Sequence, residues 1–152
     1  MVLTQILQPA CVKVPLSGKD KDSAIKELVE LLNAAKLLTD KNEVLQAVRS
    51  RESTRSTGIG SGIAIPHGKC KGVKELVMAM GISRDGIDFQ SIDSKPVYIV
   101  VLLASPMDRT GPHIQALARI SRLMLDEEFK NKLQNAASAD ELYNLISEKE
   151  AE

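Results

Sequence analysis

The chain has 152 residues, 43% of them hydrophobic and 26% charged, which fits one soluble domain with a buried core. Its 20 basic and 20 acidic side chains cancel and aromatic residues make up only 3%, so nucleic acid and anionic membranes are disfavoured as partners. Membrane insertion and secretion are not expected, because no apolar run approaches roughly 20 residues and the N-terminus does not resemble a signal peptide. The two cysteines, Cys11 and Cys70, favour a reducing, cytoplasmic setting.

Helical spacing dominates the first third of the chain, after one short strand. Residues 11–14 alternate between apolar and polar side chains and predict that strand. From Ser23 the apolar residues recur every three or four positions, which predicts a helix that ends near Leu38. Asp40, followed three residues later by a glutamate, resembles a capping box and indicates a second helix that leads to Arg51.

Strands are predicted in the middle of the chain. Residues 76–82 form an apolar run of strand length, and residues 86–89 a possible short strand. Residues 97–103 are the most hydrophobic segment and are rich in β-branched side chains, which predicts a fully buried central strand. Residues 68–72 are expected to form a loop.

Helices follow to the end. Pro112 suits the first position of a helix of about four turns. Asp126 is predicted to cap a short helix, and Ser138 with Glu141 forms a capping box for a last one. Strands interleaved with helices predict an α/β fold, a single-domain sandwich over residues 1–152.

Residues 51–69 contain the clearest functional signal. Three alternating glycines permit tight turns, and their backbone N–H groups can form an anion-binding nest; they are Gly58, Gly60 and Gly62. An apolar run and Pro66 follow, and then His67. This pattern indicates that a rigid backbone positions His67 to contact an anion.

The only two histidines in the chain, His67 and His113, each come after a predicted strand. Sites in α/β proteins gather beyond such strand ends, so both histidines are candidate site residues. His113 falls in the first turn of a predicted helix, where the helix dipole favours a neutral imidazole or a nearby anion. A lone histidine is often structural, but Pro66 and Lys69 beside His67 favour a function.

Nucleotide binding is disfavoured by the glycine spacing. The glycines read G-x-G-x-G instead of G-x-G-x-x-G, and they precede a strand instead of following one. Gly68 and Lys69 resemble the end of a phosphate-binding loop, but Ile63 and Cys70 stand where a glycine and a magnesium-binding hydroxyl are needed.

Other chemistries are less favoured. His67, Cys70 and His113 would make a poor zinc set, so no metal and no cofactor are expected. A Cys70–His nucleophile pair is formally possible, but a free loop thiol is preferred. Arg51, Arg55 and Lys69 could all be ordinary solvated charges, but Arg51 and Arg55 stand at the entry to the glycine loop, and one of them could act as an anion clamp, since a guanidinium binds phosphate with two hydrogen bonds.

The segment Arg-Glu-x-x-x-Ser-Thr-Gly-Ile-Gly-x-Gly-Ile-Ala-Ile-Pro-His-Gly-Lys resembles the signature of type 2 EIIA domains. These domains belong to the phosphoenolpyruvate-dependent sugar phosphotransferase system, in its mannitol/fructose/nitrogen class. Gly-Pro-His113-Ile-Gln-Ala-Leu-Ala-x-Ile-Ser-Arg-Leu is similar to the second motif of that family. The resemblance implies a mixed central β-sheet flanked by helices, the phosphotransferase/anion-transporter type of fold.

By this resemblance, His67 takes a phosphoryl group from the carrier HPr and passes it to a cysteine of an EIIB domain. His113 would donate a hydrogen bond to the phosphoryl group, and Arg51 would be the active-site arginine; Arg55 receives no role. Loop N–H groups and hydroxyls would hold the phosphoryl oxygens; the candidates are Ser56, Thr57, Gly58 and Gly60.

Three hypotheses follow for the function. The preferred one is a phosphoryl relay in fructose- or mannitol-type sugar transport. The second is a nitrogen-type regulator that controls partner proteins according to its phosphorylation state. The third is a non-catalytic module that binds anions in the glycine nest.

Overall fold

A computed structural model describes residues 2–152. Within them, a 3-10 turn, six strands and five α-helices follow one another. The 3-10 turn is Leu3–Gln5, and the strands are β1 (Leu7–Lys13), β2 (Gly58–Gly60), β3 (Ile63–Ala64), β4 (His67–Lys69), β5 (Val77–Ile87) and β6 (Val97–Ser105). The helices are α1 (Lys21–Ala34), α2 (Lys41–Thr54), α3 (Thr110–Leu123), α4 (Glu127–Gln134) and α5 (Ala139–Glu150).

The six strands form one mixed sheet in the order β1-β5-β6-β3-β2, and β4 also pairs with β6. β5 and β6 are antiparallel, whereas β1 lies parallel to β5, and both β3 and β4 lie parallel to β6. β6 is therefore the central strand, and its residues are buried except for the half-buried Tyr98. The predictions of a mixed sheet flanked by helices and of a buried central strand at residues 97–103 are confirmed.

The predicted caps explain where three helices begin. Asp40, Asp126 and Ser138 each accept a hydrogen bond from a backbone N–H in the first turn of α2, α4 and α5. Asp20 does the same for α1, so that helix begins before the predicted Ser23. α1 ends at Ala34 instead of Leu38, because Lys36 takes a left-handed conformation with φ of 63°.

Several predicted boundaries were wrong for local reasons. β1 begins at Leu7, four residues before the predicted start, and contains Pro9, which has no N–H to donate to a neighbouring strand. The sheet tolerates this proline because β1 is an edge strand. β5 continues to Ile87, so no separate short strand follows it. Pro112 is the third residue of α3, which begins at Thr110.

The expected loop after His67 is also a correction, because its first residues pair with β6. Gly68 and Lys69 lie in β4, opposite Ala104 and Ser105. Backbone pairing creates this short strand, and the side chains give no alternation long enough to signal it. Across residues 2–152, no helix has both the length and the apolar character needed to cross a bilayer.

Candidate active site

The sheet brings both histidines to one end of its central strand. β4 lies parallel to β6 with His67 opposite Leu103, so His67 sits where β6 is about to end. The chain then turns after Ser105 into α3, which returns His113 to the same place. The ring centroids of His67 and His113 are 5.3 Å apart, with 61° between the ring planes. The fold thus brings the two candidate histidines into contact distance.

A backbone carbonyl fixes the tautomer of His67. Nδ1 of His67 lies 2.8 Å from the carbonyl oxygen of Ile65. A carbonyl only accepts hydrogen bonds, so Nδ1 carries the proton and the lone pair of the neutral ring is on Nε2. Burial is the largest influence on the pKa of His67 and lowers it, and the charges of Arg51 and Lys69 act in the same direction. His67 is therefore a neutral ring with a free nitrogen at neutral pH.

His113 is still more strongly held in the neutral form. Its side chain is 4% exposed, and burial, followed by the charges of His67 and Lys69, lowers its pKa to about 4. Nδ1 of His113 lies 2.8 Å from the buried hydroxyl oxygen of Ser105. When that hydroxyl donates to Nδ1, the ring carries its own proton on Nε2 and can donate it to an anion.

Arg51 reaches His67 because α2 packs closely on β4. A Cβ on Gly68 would lie 3.0 Å from backbone atoms of Ala47 and Val48, so only glycine allows this approach. Arg51 lies one turn further along α2, and its Nη1 donates a 2.8 Å hydrogen bond to the carbonyl oxygen of Arg55. This bond to the backbone orients the guanidinium without using the side chain of Arg55.

Two adjoining clefts meet at the predicted catalytic residues. The larger, of about 520 Å³, is lined by Arg51, His67, Lys69, His113 and Leu117, among others. The smaller, of about 250 Å³, is also lined by Arg51, His67 and Leu117, together with residues of the loop after α2 and with Ile92. His67 and Arg51 thus lie where the two clefts join.

Glu52 organises the loop that forms the smaller cleft, and sequence reasoning assigned it no role. Its buried carboxylate accepts hydrogen bonds from the backbone N–H of Thr57, at 3.1 and 3.2 Å, and from the Thr57 hydroxyl, at 2.6 Å. Lys21 of α1 pairs with the same carboxylate at 3.0 Å. Both donor groups of Thr57 are therefore occupied by Glu52, which places Thr57 as a support for the loop.

The other three candidate phosphate ligands differ in position. The hydroxyl of Ser56 donates to the carbonyl of Phe89 and accepts from the N–H of Gly58 at 3.1 Å. Ser56 and Gly58 both line the smaller cleft, whereas Gly60 lines neither cleft. Gly60 instead begins the turn between β2 and β3, with φ of 94°.

The expected anion nest in this glycine turn already holds a carboxylate of the protein itself. Gly60, Ser61 and Gly62 all have positive φ, and the N–H of Ser61 donates to the Asp93 carboxylate at 3.0 Å. Hydrogen bonds from Ser61 and Lys95 lower the pKa of Asp93 and keep it ionised. The turn binds an anion, as its glycines predict, but that anion is internal.

Cys70 is a free thiol just after β4, outside any helix or strand, as the preference for a free loop thiol predicted, and it is only 7% exposed. Burial is the main influence on its pKa and raises it, which disfavours a reactive thiolate. Cys11 is fully buried in the core. Within residues 2–152, no three His, Cys, Asp or Glu side chains cluster so that they could hold a metal ion.

The mixed sheet with two histidines at the end of its central strand agrees with the family that the sequence matches. Residues 5–149 match the family model "Phosphoenolpyruvate-dependent sugar phosphotransferase system, EIIA 2". The chain belongs to this family, as the motifs around His67 and His113 predicted.

Relatives of two kinds resemble the chain in sequence. It is 36% identical over 148 residues to the PTS system fructose-specific EIIABC component of Bacillus subtilis, and the match covers 97% of this chain and 23% of that protein. The chain thus spans about a quarter of the length of that relative. It is also 33% identical over 149 residues to the nitrogen regulatory protein of Bradyrhizobium diazoefficiens, with 97% of this chain and 95% of that protein covered.

Solved structures share the fold. The nitrogen regulatory protein IIA-Ntr of Neisseria meningitidis superposes with a TM-score of 0.81 at 26% identity, covering 93% of this chain and 97% of that one. Enzyme IIAMTL of Escherichia coli, in its complex with phosphorylated enzyme IIBMTL, superposes with a TM-score of 0.80 at 20% identity, covering 93% and 99%.

Proposed function

We propose that this protein is a phosphoryl relay in which His67 accepts a phosphoryl group from phosphorylated HPr and passes it to a cysteine of an EIIB domain. One observation carries the proposal. The hydrogen bond from Nδ1 of His67 to the carbonyl of Ile65 leaves the lone pair on Nε2, in a cleft that Arg51 and His113 also line. A nucleophile, a cation and a neutral donor therefore meet at one point.

In the first step, Nε2 of His67 attacks phosphorus as the N–P bond of the HPr phosphohistidine breaks. The electron pair of the broken bond returns to the HPr ring nitrogen. In the second step, the EIIB thiolate attacks the same phosphorus, an S–P bond forms, and the electron pair of the Nε2–P bond returns to His67. The hydrogen bond between Nδ1 and the Ile65 carbonyl orients the ring for the attack.

Charge on the three transferring oxygens is balanced by groups that are already in place. The transition state of phosphoryl transfer is loose and spreads charge over these oxygens, so positioned donors supply most of the catalysis. Arg51 and the Nε2–H of His113 are proposed to bind them, while Ser56 and Gly58, whose donors already form hydrogen bonds within the protein, shape the edge of the smaller cleft. Thr57 and Gly60 are proposed to support the shape of the site without binding the phosphoryl group. Thr57 does so through its hydrogen bonds to Glu52, and Gly60 through the turn that bonds to Asp93.

The partner proteins are proposed to dock on exposed apolar side chains beside the clefts. Ile59 is 46% exposed and Ile92 is 72% exposed, and both line the smaller cleft with His67. A partner that brings phosphorus within bonding distance of Nε2 must cover this surface, so HPr and EIIB are its proposed occupants. The complex of the Escherichia coli mannitol protein with phosphorylated enzyme IIBMTL supports EIIB as one of them.

We further propose that residues 1–152 act as one EIIA domain in the cytoplasm, in fructose- or mannitol-type sugar transport. A single continuous core and two free cysteines support this proposal. The nitrogen-regulatory alternative has its own support, since the Bradyrhizobium relative matches over almost its whole length. Transfer of the phosphoryl group to an EIIB cysteine would favour transport. Phosphorylation without transfer to any EIIB domain, together with binding to a regulated protein, would favour the alternative.

The test is incubation with phosphoenolpyruvate, enzyme I and HPr, followed by intact-mass measurement at alkaline pH. The expected result is an acid-labile gain of one phosphoryl group in the wild type and none in His67→Ala. A full gain in His67→Ala would overturn the assignment of His67. No gain in the wild type would overturn the relay and favour a module that binds anions in the cleft without phosphoryl transfer, since Asp93 already occupies the glycine turn.

A further inference from the structure

Lys69 lies close to the proposed phosphoryl group but has no part in the relay described so far. It follows His67 by two residues in β4, and side chains two apart on a strand point to the same face. It lines the larger cleft together with Arg51, His67 and His113. Lys69 is therefore a cation that lines the same cleft, on the same strand, as the histidine that would carry the phosphoryl group.

The ammonium group of Lys69 has only a neutral partner. Its Nζ donates to the hydroxyl of Thr110 at 3.3 Å, in an exposed position. No carboxylate of residues 2–152 forms an ion pair with Lys69, whereas Lys21 pairs with Glu52 at 3.0 Å. A single exposed hydrogen bond to a hydroxyl is weak compared with a charge-assisted bond to a phosphoryl oxygen.

Charge in the cleft also favours a second cation. A phosphoryl group brings close to two negative charges, of which Arg51 can balance one. His113 is neutral and contributes no charge, since burial keeps its pKa low. The charge of Lys69 already acts on both rings, where it helps to lower the pKa of His67 and that of His113.

We propose that Lys69 binds the phosphoryl group of phosphorylated His67, exchanging its hydrogen bond to Thr110 for an ion pair with a phosphoryl oxygen. This inference rests on the proposed function of His67. Because Lys69 would contact the phosphoryl group only after transfer, it stabilises the phosphorylated protein and shifts the equilibrium of the relay toward it. Arg51 and Lys69 together then balance the charge of the phosphoryl group.

The experiment measures the equilibrium constant for phosphoryl transfer from phosphorylated HPr, by intact mass at alkaline pH, for the wild type and three variants. Lys69→Met removes the charge, and Lys69→Arg keeps it. Lys71→Met is the matched control, because Lys71 is exposed, lies two residues further on and lines neither cleft. Each measurement is made at low salt and again in 1 M salt.

Lys69→Met is expected to lower the equilibrium constant on the order of fivefold at low salt, the effect of one exposed charge pair. Most of that difference should disappear in 1 M salt, where the screening length is about 3 Å. Lys69→Arg and Lys71→Met should stay within about twofold of the wild type. The salt dependence distinguishes binding of the phosphoryl group from a merely structural role.

Two results overturn the proposal in different ways. If the wild type is phosphorylated normally and Lys69→Met matches Lys71→Met, the assignment of Lys69 fails and the proposed function stands. If the wild type accepts no phosphoryl group, the proposed function fails, and the assignment of Lys69 with it.

Discussion

The hydroxyl oxygen of Ser105 lies 2.8 Å from Nδ1 of His113, and both side chains are buried. Ser105 is the last residue of β6, and His113 lies in the first turns of α3, so this hydrogen bond spans the turn between the two elements. When the hydroxyl donates in this bond, Nε2 of His113 carries the ring proton, as the proposed donation to a phosphoryl group requires. The donor role proposed for His113 therefore depends on a neighbour that itself makes no contact with substrate.

Ser105→Ala should lose about 1–3 kcal/mol of unfolding free energy, because Nδ1 of His113 is left buried without a partner. Phosphoryl transfer should also slow, since the ring is no longer held in one tautomer. Denaturant unfolding and single-turnover transfer from phosphorylated HPr measure the two effects. Ser91→Ala is the matched control, because the buried Ser91 hydroxyl has no hydrogen-bond partner in residues 2–152. Equal losses in the two variants would contradict a specific role for Ser105.

His113 should make the protein less stable in mild acid. Its pKa is about 4 in the folded protein and 6.5 ordinarily, so the unfolded chain binds a proton first as the pH falls. The stabilisation is fully present above pH 6.5 and is lost between there and about pH 4, amounting to about 3 kcal/mol. Urea unfolding of the wild type and His113→Gln across this range provides the test. Parallel pH profiles for the two proteins would show that His113 is not held neutral.

Arg51→Ala should slow transfer from phosphorylated HPr roughly 100-fold, the usual cost of removing one donor to a developing negative charge. Arg51→Lys should recover only part of the rate, because an ammonium does not reproduce the planar two-bond geometry. Phosphoryl-transfer assays that are stopped at set times, at a fixed HPr concentration, measure the rates of both variants. Circular dichroism checks that each variant keeps its fold.

Arg55→Ala is the control for Arg51, because Arg55 contributes its backbone carbonyl, which alanine also has. Its transfer rate should stay within about threefold of the wild type. A loss in Arg55→Ala as large as that in Arg51→Ala would mean that the side chain of Arg55 is itself required.

Ile92→Asp should raise the KM for phosphorylated HPr roughly tenfold and leave the limiting rate nearly unchanged, because it removes apolar contact area for the partner and not a group proposed to bind the phosphoryl oxygens. Leu125→Asp is the matched control, since Leu125 is 80% exposed and lines neither cleft. Steady-state transfer at varied HPr concentration separates KM from the limiting rate. An equal rise in KM for both variants would argue against docking at Ile92.

Sequence reasoning located the two histidines because each signal was local. A buried β-branched strand, a proline and a helix start predicted where His67 and His113 would lie, and the sheet brings them together. The position of Lys69 could not be predicted in the same way, since β4 exists through its backbone pairing with β6. Short strands of this kind leave no pattern in the side chains.

The contacts that support the site were missed because they are not local. Glu52 is a single acidic residue in a helix, and only the fold brings Lys21 and Thr57 to its carboxylate. Asp93 likewise comes from a distant loop to occupy the glycine turn. The glycine pattern correctly predicted an anion, but a chain read residue by residue does not show that the protein supplies that anion itself.

We expect the parallel pairing of β4 with β6 to set when the proposed site is completed during folding. His67 is in place only after the segment between residues 67 and 103 has closed into a loop, and such long-range pairing forms slowly. The capped helices form from neighbouring residues and do so much earlier. On refolding, the ability to take up a phosphoryl group should therefore return after the helical circular-dichroism signal. Phosphoryl uptake would then report a late stage of folding.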